Sequence, residues 1–147
     1  MLPGQSNGTW DPIKFVVTFG GYTITGWAKG SFISIKRSSD VFTPETGAAG
    51  EESWTKSANR QGEIEIKLMS TSQDCAVLSA MEVADELTSS GLQTFQAKEI
   101  NGNSYAHAAQ ARITKPADMD RGAEQGETTF VIKTTNLDVS AGGLLGT

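Results

Sequence analysis

Gly4-Gln5-Ser6-Asn7-Gly8 comes nearest to a catalytic motif in this sequence. G-x-S-x-G is the spacing of a hydrolase nucleophile elbow, in which a strand delivers the Ser onto a sharp turn and a helix follows. Only three residues precede the motif here, too few for that strand, and the segment reads as a loose terminus. His107 is the sole histidine and has no Cys or His at ligand spacing, so it reads as a packed or surface side chain rather than a metal ligand. Cys75, the sole cysteine, excludes an internal disulfide and a multi-thiolate metal site. A helix start is where a thiol is most readily activated, but a half-buried structural Cys accounts for the residue as well. Glu51-Glu52 and the pair Glu63 and Glu65 could supply an acid and a base. They fall in an acidic, aperiodic segment and on the polar face of a strand, both ordinary places for solvating charge. Ala28-Lys29-Gly30-Ser31 has a Lys and a Ser but neither the glycine spacing nor the following helix of a phosphate loop. Asn7-Gly8-Thr9 is a glycosylation sequon by letter, with no secretory signal before it. No catalytic residue, metal or cofactor is expected.

The frame that must position any site is a chain of 147 residues, long enough for one domain with a substantial core. Hydrophobic residues make up 37% and charged residues 20%, with 16 Gly and 4 Pro, which places it among globular chains and not disordered ones. Twelve Lys and Arg against 17 Asp and Glu give a net charge of −5, the wrong sign for a protein that grips nucleic acid by its phosphates. No apolar run approaches the roughly 20 residues that span a bilayer, and the start lacks a basic region followed by an apolar one. Membrane insertion is not expected, and assembly in a cytoplasm is.

Residues 13–19 alternate, with Ile13, Phe15, Val17 and Phe19 on one face and Lys14 and Thr18 on the other, which predicts a strand. Gly20-Gly21 predicts a tight turn into residues 22–25, and residues 31–37 alternate again. Periodicity then vanishes over residues 38–61, which are rich in Gly, Pro and acid. A structureless loop of that length is uncommon in a compact domain and usually functional. It holds Val41, Phe42 and Trp54, apolar groups a purely solvated loop would not need, so it is expected to protrude and pack on something else. Residues 63–69 alternate, with Ile64, Ile66 and Leu68 inward and Glu63, Glu65 and Lys67 outward. Over residues 73–89 the spacing changes to threes and fours: Val77, Met81, Ala84 and Leu87 form a stripe, Thr71 or Ser72 can cap the start and Gly91 can end it. This is the one flanking helix, about 25 Å long at 1.5 Å per residue, and its stripe is expected in the core.

Residues 92–100 and 104–114 read as strands joined by a turn at Asn101-Gly102, although the Ala-rich stretch 106–111 could instead be helical. Residues 117–126 read as a polar loop and 127–138 as a last strand. Leu137 and Val139 take the opposite parity to Phe130 and Ile132, so a bulge or corner is expected near residues 134–136. Residues 1–12 read as an N-terminal arm and 140–147 as a flexible tail, the whole of 1–147 forming one domain. The fold class is mainly β: a β-sandwich or barrel with one flanking helix.

The residues also carry a resemblance. Phe19-Gly20-Gly21, Ile24-Thr25-Gly26-Trp27-Ala28, Gly30-Ser31-Phe32-Ile33, the stretch from Asp40 and Phe42 to Gly47-Ala48-Ala49-Gly50-Glu51, Asn59 with Gly62, and Thr71-Ser72 resemble, in order and spacing, the tail tube proteins of contractile-tailed bacteriophages. The match runs from about residue 13 to 138 and includes Lys115-Pro116 and the closing strand. It implies a β-sandwich or barrel with one helix, similar in architecture to the secreted tube protein of type VI secretion systems. It further implies six copies in a ring and rings stacked into a tube, with a sheath outside and a tape measure protein inside. Phage DNA would pass without specific binding, assembly would occur in the host cytoplasm, and the finished protein would reside in the virion tail. In such tubes the long loop after the second major strand reaches the neighbouring ring. Here Val41, Phe42, Thr43, Glu51 and Trp54 occupy that place.

Strands polar on one face need water there, and a wide channel supplies it as readily as the outside does. Lys14, Thr18, Glu63, Glu65 and Lys67 are the candidate lumen residues; their charges nearly offset, and a neutral to negative wall is expected. The alternative is a small-ligand or carbohydrate-binding β-sandwich with Trp10, Trp27 and Trp54 as stacking platforms.

Overall fold

The computed structural model describes residues 11–100, 104–124 and 126–141. The chain opens on a 3₁₀ turn, Pro12–Lys14, whose N-cap Asp11 accepts the Ile13 N–H at 3.0 Å. Here turn chemistry overrides alternation: a capping Asp followed by Pro at the first position fixes a turn. Ile13 is therefore 85% exposed instead of facing the core, and Lys14 stands before the first strand rather than in it.

Strands β1 (Phe15–Phe19) and β2 (Tyr22–Ile24) form a hairpin. Gly20 and Gly21 sit at φ 61° and 82°, the pair of positive dihedrals a two-residue turn of matching twist requires. After β3 (Ile33–Arg37) come β4 (Phe42–Thr46), β5 (Glu52–Lys56) and β6 (Gly62–Met69). Helix α1 (Gln73–Thr88) precedes β7 (Gln93–Glu99), β8 (Tyr105–Ile113), β9 (Asp118–Met119), β10 (Glu127–Thr134) and β11 (Asp138–Ser140). One antiparallel sheet of nine strands runs β2-β1-β7-β8-β10-β6-β3, with β11 on β8 and β9 on β10. The path does not close on itself, so the fold is a β-sandwich with one helix and not a sealed barrel. The turn expected at Asn101-Gly102 lies outside the described residues.

Period-two alternation builds the core. Val17 and Phe19, Ile64, Ile66 and Leu68, Phe95 and Ala97, and Phe130 and Ile132 are buried from their respective strands and form one cluster with Leu78 of α1. The Ala-rich stretch is strand, not helix: Ala106 and Ala108 are buried opposite Ala97 and Phe95. The expected corner is present. Thr134 Oγ donates to the Gln110 carbonyl at 2.6 Å and accepts the Asn136 N–H at 3.2 Å, after which Leu137 turns into the core and β11 continues along the first half of β8. Ser140 thus belongs to a strand and not to the tail.

Two expectations fail for physical reasons. The segment 38–61 is not structureless: β4 and β5 pair as a separate hairpin, with Phe42 opposite Lys56 and Pro44 opposite Trp54. Its turn is closed by Gly47 N–H to Glu51 O at 2.7 Å and Gly50 N–H to Gly47 O at 3.0 Å. Every residue of both strands is exposed, and a hairpin wet on both faces carries no apolar alternation to read.

The helix is rotated from its expected face. Asp74, Leu78 and Glu82 are buried, Met81 and Cys75 are partly packed on the core, Val77 is half-buried, Ala84 is exposed, and Leu87 is 81% exposed. Anchoring of Asp74 by the sheet sets the rotation, and the positions four and eight residues on follow it inward. The helix ends on Ser89 in the left-handed region at φ 56°, not on Gly91.

Candidate functional site

Ser72 caps α1 by accepting the Asp74 N–H at 3.1 Å, which leaves the Asp74 carboxylate free to reach back to the β2 end of the sheet. It accepts the Tyr22 hydroxyl at 2.5 Å and the N–H groups of Gly26 and Thr25 at 2.7 and 2.8 Å. Burial works to raise this carboxyl, but the bond from Tyr22 and those from Gly26, Thr25 and Ser72 outweigh it and hold it below the usual range. The same bond pushes the Tyr22 phenol up, with burial and the Asp74 charge adding to it. A side chain on residue 26 would lie 1.8 Å from Ser72 Oγ, so glycine is required by close approach. Sequence reading treated this acid only as part of a helix start; the signal available was its place two residues after a capping Ser. Further along, Glu82 is pushed up by its hydrogen bond with Glu86, then by burial and the charges of Glu86 and Asp85. Asp85 holds Arg112 at 2.9 Å and accepts the Gly91 N–H at 2.9 Å. Asp74 and Asp85 thus tie the helix to the sheet and the loop after β2.

The residues first considered for chemistry are dispersed. His107 is half-buried, opposite Gln96 on one side and Asp138 on the other. Cys75 is half-buried with Sγ 3.4 Å from the Met69 carbonyl. Glu51 and Glu52 are exposed at the hairpin turn. No three His, Cys, Asp or Glu side chains among the described residues are grouped to hold a metal, and no described helix is long and apolar enough to cross a membrane. The Gly4-to-Gly8 motif and Trp10 lie outside the described residues. Trp27 stacks on Phe32, ring centres 4.8 Å apart, while Trp54 belongs to the separate β4–β5 sheet.

What the fold does bring together are surfaces. On the hairpin, Phe42, Pro44 and Trp54 share one face by register, with Phe42 55% and Trp54 68% exposed. Thr43 lies on the other face, Glu51 in the turn, and Val41, half-buried at the base, accepts the Ser57 N–H at 2.7 Å.

The second surface is the non-core face of the large sheet. Thr18, Glu63, Glu65 and Lys67 do share it, each half-buried between inward neighbours. Register adds residues from the other strands, in a row Lys36, Glu63, Lys133, Arg112 across β3, β6, β10 and β8. Lys98 lies on the same face beside Val16. By register the face holds Lys36, Lys67, Lys98, Arg112 and Lys133 against Glu63, Glu65, Asp118, Glu127 and Asp138, so its charges offset. Beyond β1 and β6, the cations come from β3, β7, β8 and β10, and the further acids from β9, β10 and β11. The chain's excess acid sits on the hairpin turn and α1.

No family model and no curated protein matches this sequence. Solved structures do match in shape. A chain in the virion of a native gene transfer agent particle aligns with a TM-score of 0.60 at 13% identity, covering 90% of this chain and 100% of that one. A chain of the anti-feeding prophage tube-terminating cap gives 0.61 at 10% identity, over 90% and 91%. One from the sheath/tube terminator of an extracellular contractile injection system in its extended state gives 0.58 at 11%, over 91% and 98%. Across about nine-tenths of its length, then, this chain has the fold found in those tube- and virion-forming particles.

Proposed function

We propose that the chain, as a single unit from 1 to 147, is a structural subunit of a phage tail tube. Six copies close into a ring, and rings stack into a hollow tube within a sheath and around a tape measure protein. The tube forms in the host cytoplasm and resides in the virion tail, and DNA passes through it without specific binding. The shared fold supports a tube-like structural role, and the observation that carries the reading is the β4–β5 hairpin. A subunit that works alone has no use for Phe42 and Trp54 in water on a projecting two-stranded ribbon, where exposed apolar area marks an interface. Val41, Phe42, Thr43, Glu51 and Trp54 form the arm that reaches the next ring. The non-core face carrying Thr18, Glu63, Glu65 and Lys67 lines the channel, and Lys14, outside the strands, leaves that set.

A contact between two different patches of the same chain, repeated along an axis, gives an open filament, as a tube requires. Electron micrographs of the purified protein at rising concentration should show six-fold rings and stacked tubes. Removing residues 41–54 should leave a folded protein that forms no tubes, because the hairpin is a sheet of its own. Normal tubes from that deletion, or an intact protein that stays monomeric at every concentration, would refute the reading.

A further inference from the structure

A cleft of about 360 Å³ lies between the 3₁₀ turn and the end of β2. Ile13, Phe15, Val16, Ile24 and Trp27 wall it, and no lining side chain carries a charge. Two features make it a receptor surface. It adjoins β2, where the hydrogen-bonded path of the large sheet ends after three residues, and it is fronted by Ile13, which the capped turn holds almost wholly in water. The hairpin offers a complementary counterpart: an apolar face of Phe42, Pro44 and Trp54, backed at its turn by Glu45, Glu51 and Glu52.

Two cations border the cleft, opposite in sign to the hairpin glutamates. Lys14 is exposed next to Ile13, and Lys98 is exposed as the cross-strand partner of Val16. Of the nearby acids, Asp11 accepts the Ile13 N–H, and Glu99, opposite Phe15, has its Oε2 buried. We infer that the cleft is the seat for the β4–β5 hairpin of a second copy of this chain, with Trp54 entering among Ile13, Val16 and Trp27 and the glutamates of the hairpin turn facing Lys14 and Lys98. This rests on the tube-subunit reading and adds the receiving surface that reading leaves open. Cleft and hairpin are different patches of one chain, so the contact propagates instead of closing a dimer.

Two measurements test it. In a Cys75→Ser background, which keeps a donor toward the Met69 carbonyl, the double variant Ile13→Cys/Trp54→Cys is oxidised under assembly conditions. A ladder of disulfide-linked chains, absent from either single variant, is the expected result. Tubes that form without the ladder would overturn the cleft while leaving the functional reading intact, whereas an unsubstituted protein that never assembles would overturn both. A ladder that appears only after residues 1–10 are removed would mean that the chain's own leading segment fills the cleft, and would also overturn the proposal.

Should the double variant not assemble, charge reversal decides. Glu51→Lys/Glu52→Lys alone should raise the concentration needed for assembly by about tenfold, more at low salt, because rim charges govern encounter. Adding Lys14→Glu/Lys98→Glu should restore most of that loss. Absence of rescue in a protein that folds normally would refute the pairing.

Discussion

Replacing Leu78 with Ala tests how α1 is seated. Leu78 has no exposed surface and lies between two fixed points of the helix. One turn earlier, Asp74 is bound to Tyr22, Thr25 and Gly26; two turns later, Asp85 is paired with Arg112. The helix cannot settle into the vacated space, so the cost belongs in the upper part of the range for buried Leu→Ala changes, about 3–5 kcal/mol. At roughly 3 °C per kcal/mol for a chain of this size, Tm should fall by about 10–15 °C. Leu87→Ala, at an 81% exposed position, should change the stability of the monomer by no more than about 0.5 kcal/mol. Urea unfolding followed by tryptophan fluorescence, at concentrations where sedimentation shows only monomer, separates the two. A Leu78→Ala loss below about 1 kcal/mol, or a Leu87→Ala loss of equal size, would mean that the helix packs on the Val77, Met81, Ala84 and Leu87 face after all.

Three further outcomes follow from the same contacts. Because the folded Asp74 carboxyl is held below its ordinary value, its ionised form contributes stability that is fully present above the unfolded pKa and lost as pH falls through the folded one. Asp74→Asn should therefore be destabilised at neutral pH, the gap to the parent protein narrowing in acid titrations monitored by circular dichroism; a gap independent of pH would contradict the assignment. Gly26→Ala would drive a methyl into Ser72 Oγ, and hydrogen exchange should report fraying of the first turn of α1 while β6 and β10 stay protected. Glu63→Lys with Glu65→Lys should leave ring formation largely intact but slow DNA ejection from virions, most at low salt. Like charges placed opposite Lys36 and Lys133 would cost roughly 0.2–1 kcal/mol per pair, and ejection at unchanged speed would remove these residues from the channel wall.

The strands were legible wherever one face is dry. In β6 the inward Ile64, Ile66 and Leu68 are large and apolar and their neighbours Glu63, Glu65 and Lys67 are charged, so alternation alone gives parity. The Gly20-Gly21 turn and the corner at Thr134 were legible because each needs a particular local chemistry. What escaped was set by a distant partner. The rotation of α1 depends on Asp74 meeting backbone N–H groups 48 and 49 residues earlier, and an acid on the inward face defeats a stripe drawn from apolar residues alone. The charged neighbours of Glu63 depend on register across β3, β6, β10 and β8, which no single strand contains. At Ile13 the error was local: a capping Asp and a Pro outweighed an apolar residue of the right parity.

The hairpin links these points to assembly. A two-stranded ribbon is marginal in water, and this one has no dry face. Beyond its ladder it is held by the Gly47 and Gly50 turn bonds, the Ser57 to Val41 closure and a Thr55 hydroxyl to Glu45 contact at 3.2 Å. Its stability in the free subunit is consequently drawn from the low end of the molecule's range, while the large sheet keeps its core whether the hairpin is formed or frayed. A partner that covers Phe42 and Trp54 supplies the missing dry face, so docking and ordering of the ribbon reinforce one another. In the assembly proposed above, a seated copy would present the next with a receiving surface built on β1, β2 and Trp27 stacked on Phe32. Hydrogen exchange gives this coupling a direct reading: amides of residues 42–56 should exchange fast in the monomer and slowly in the assembled protein, while those of β6 and β10 should be slow in both. Equal protection of the hairpin in the two states would mean that the ribbon is rigid beforehand and that its ordering contributes nothing to assembly.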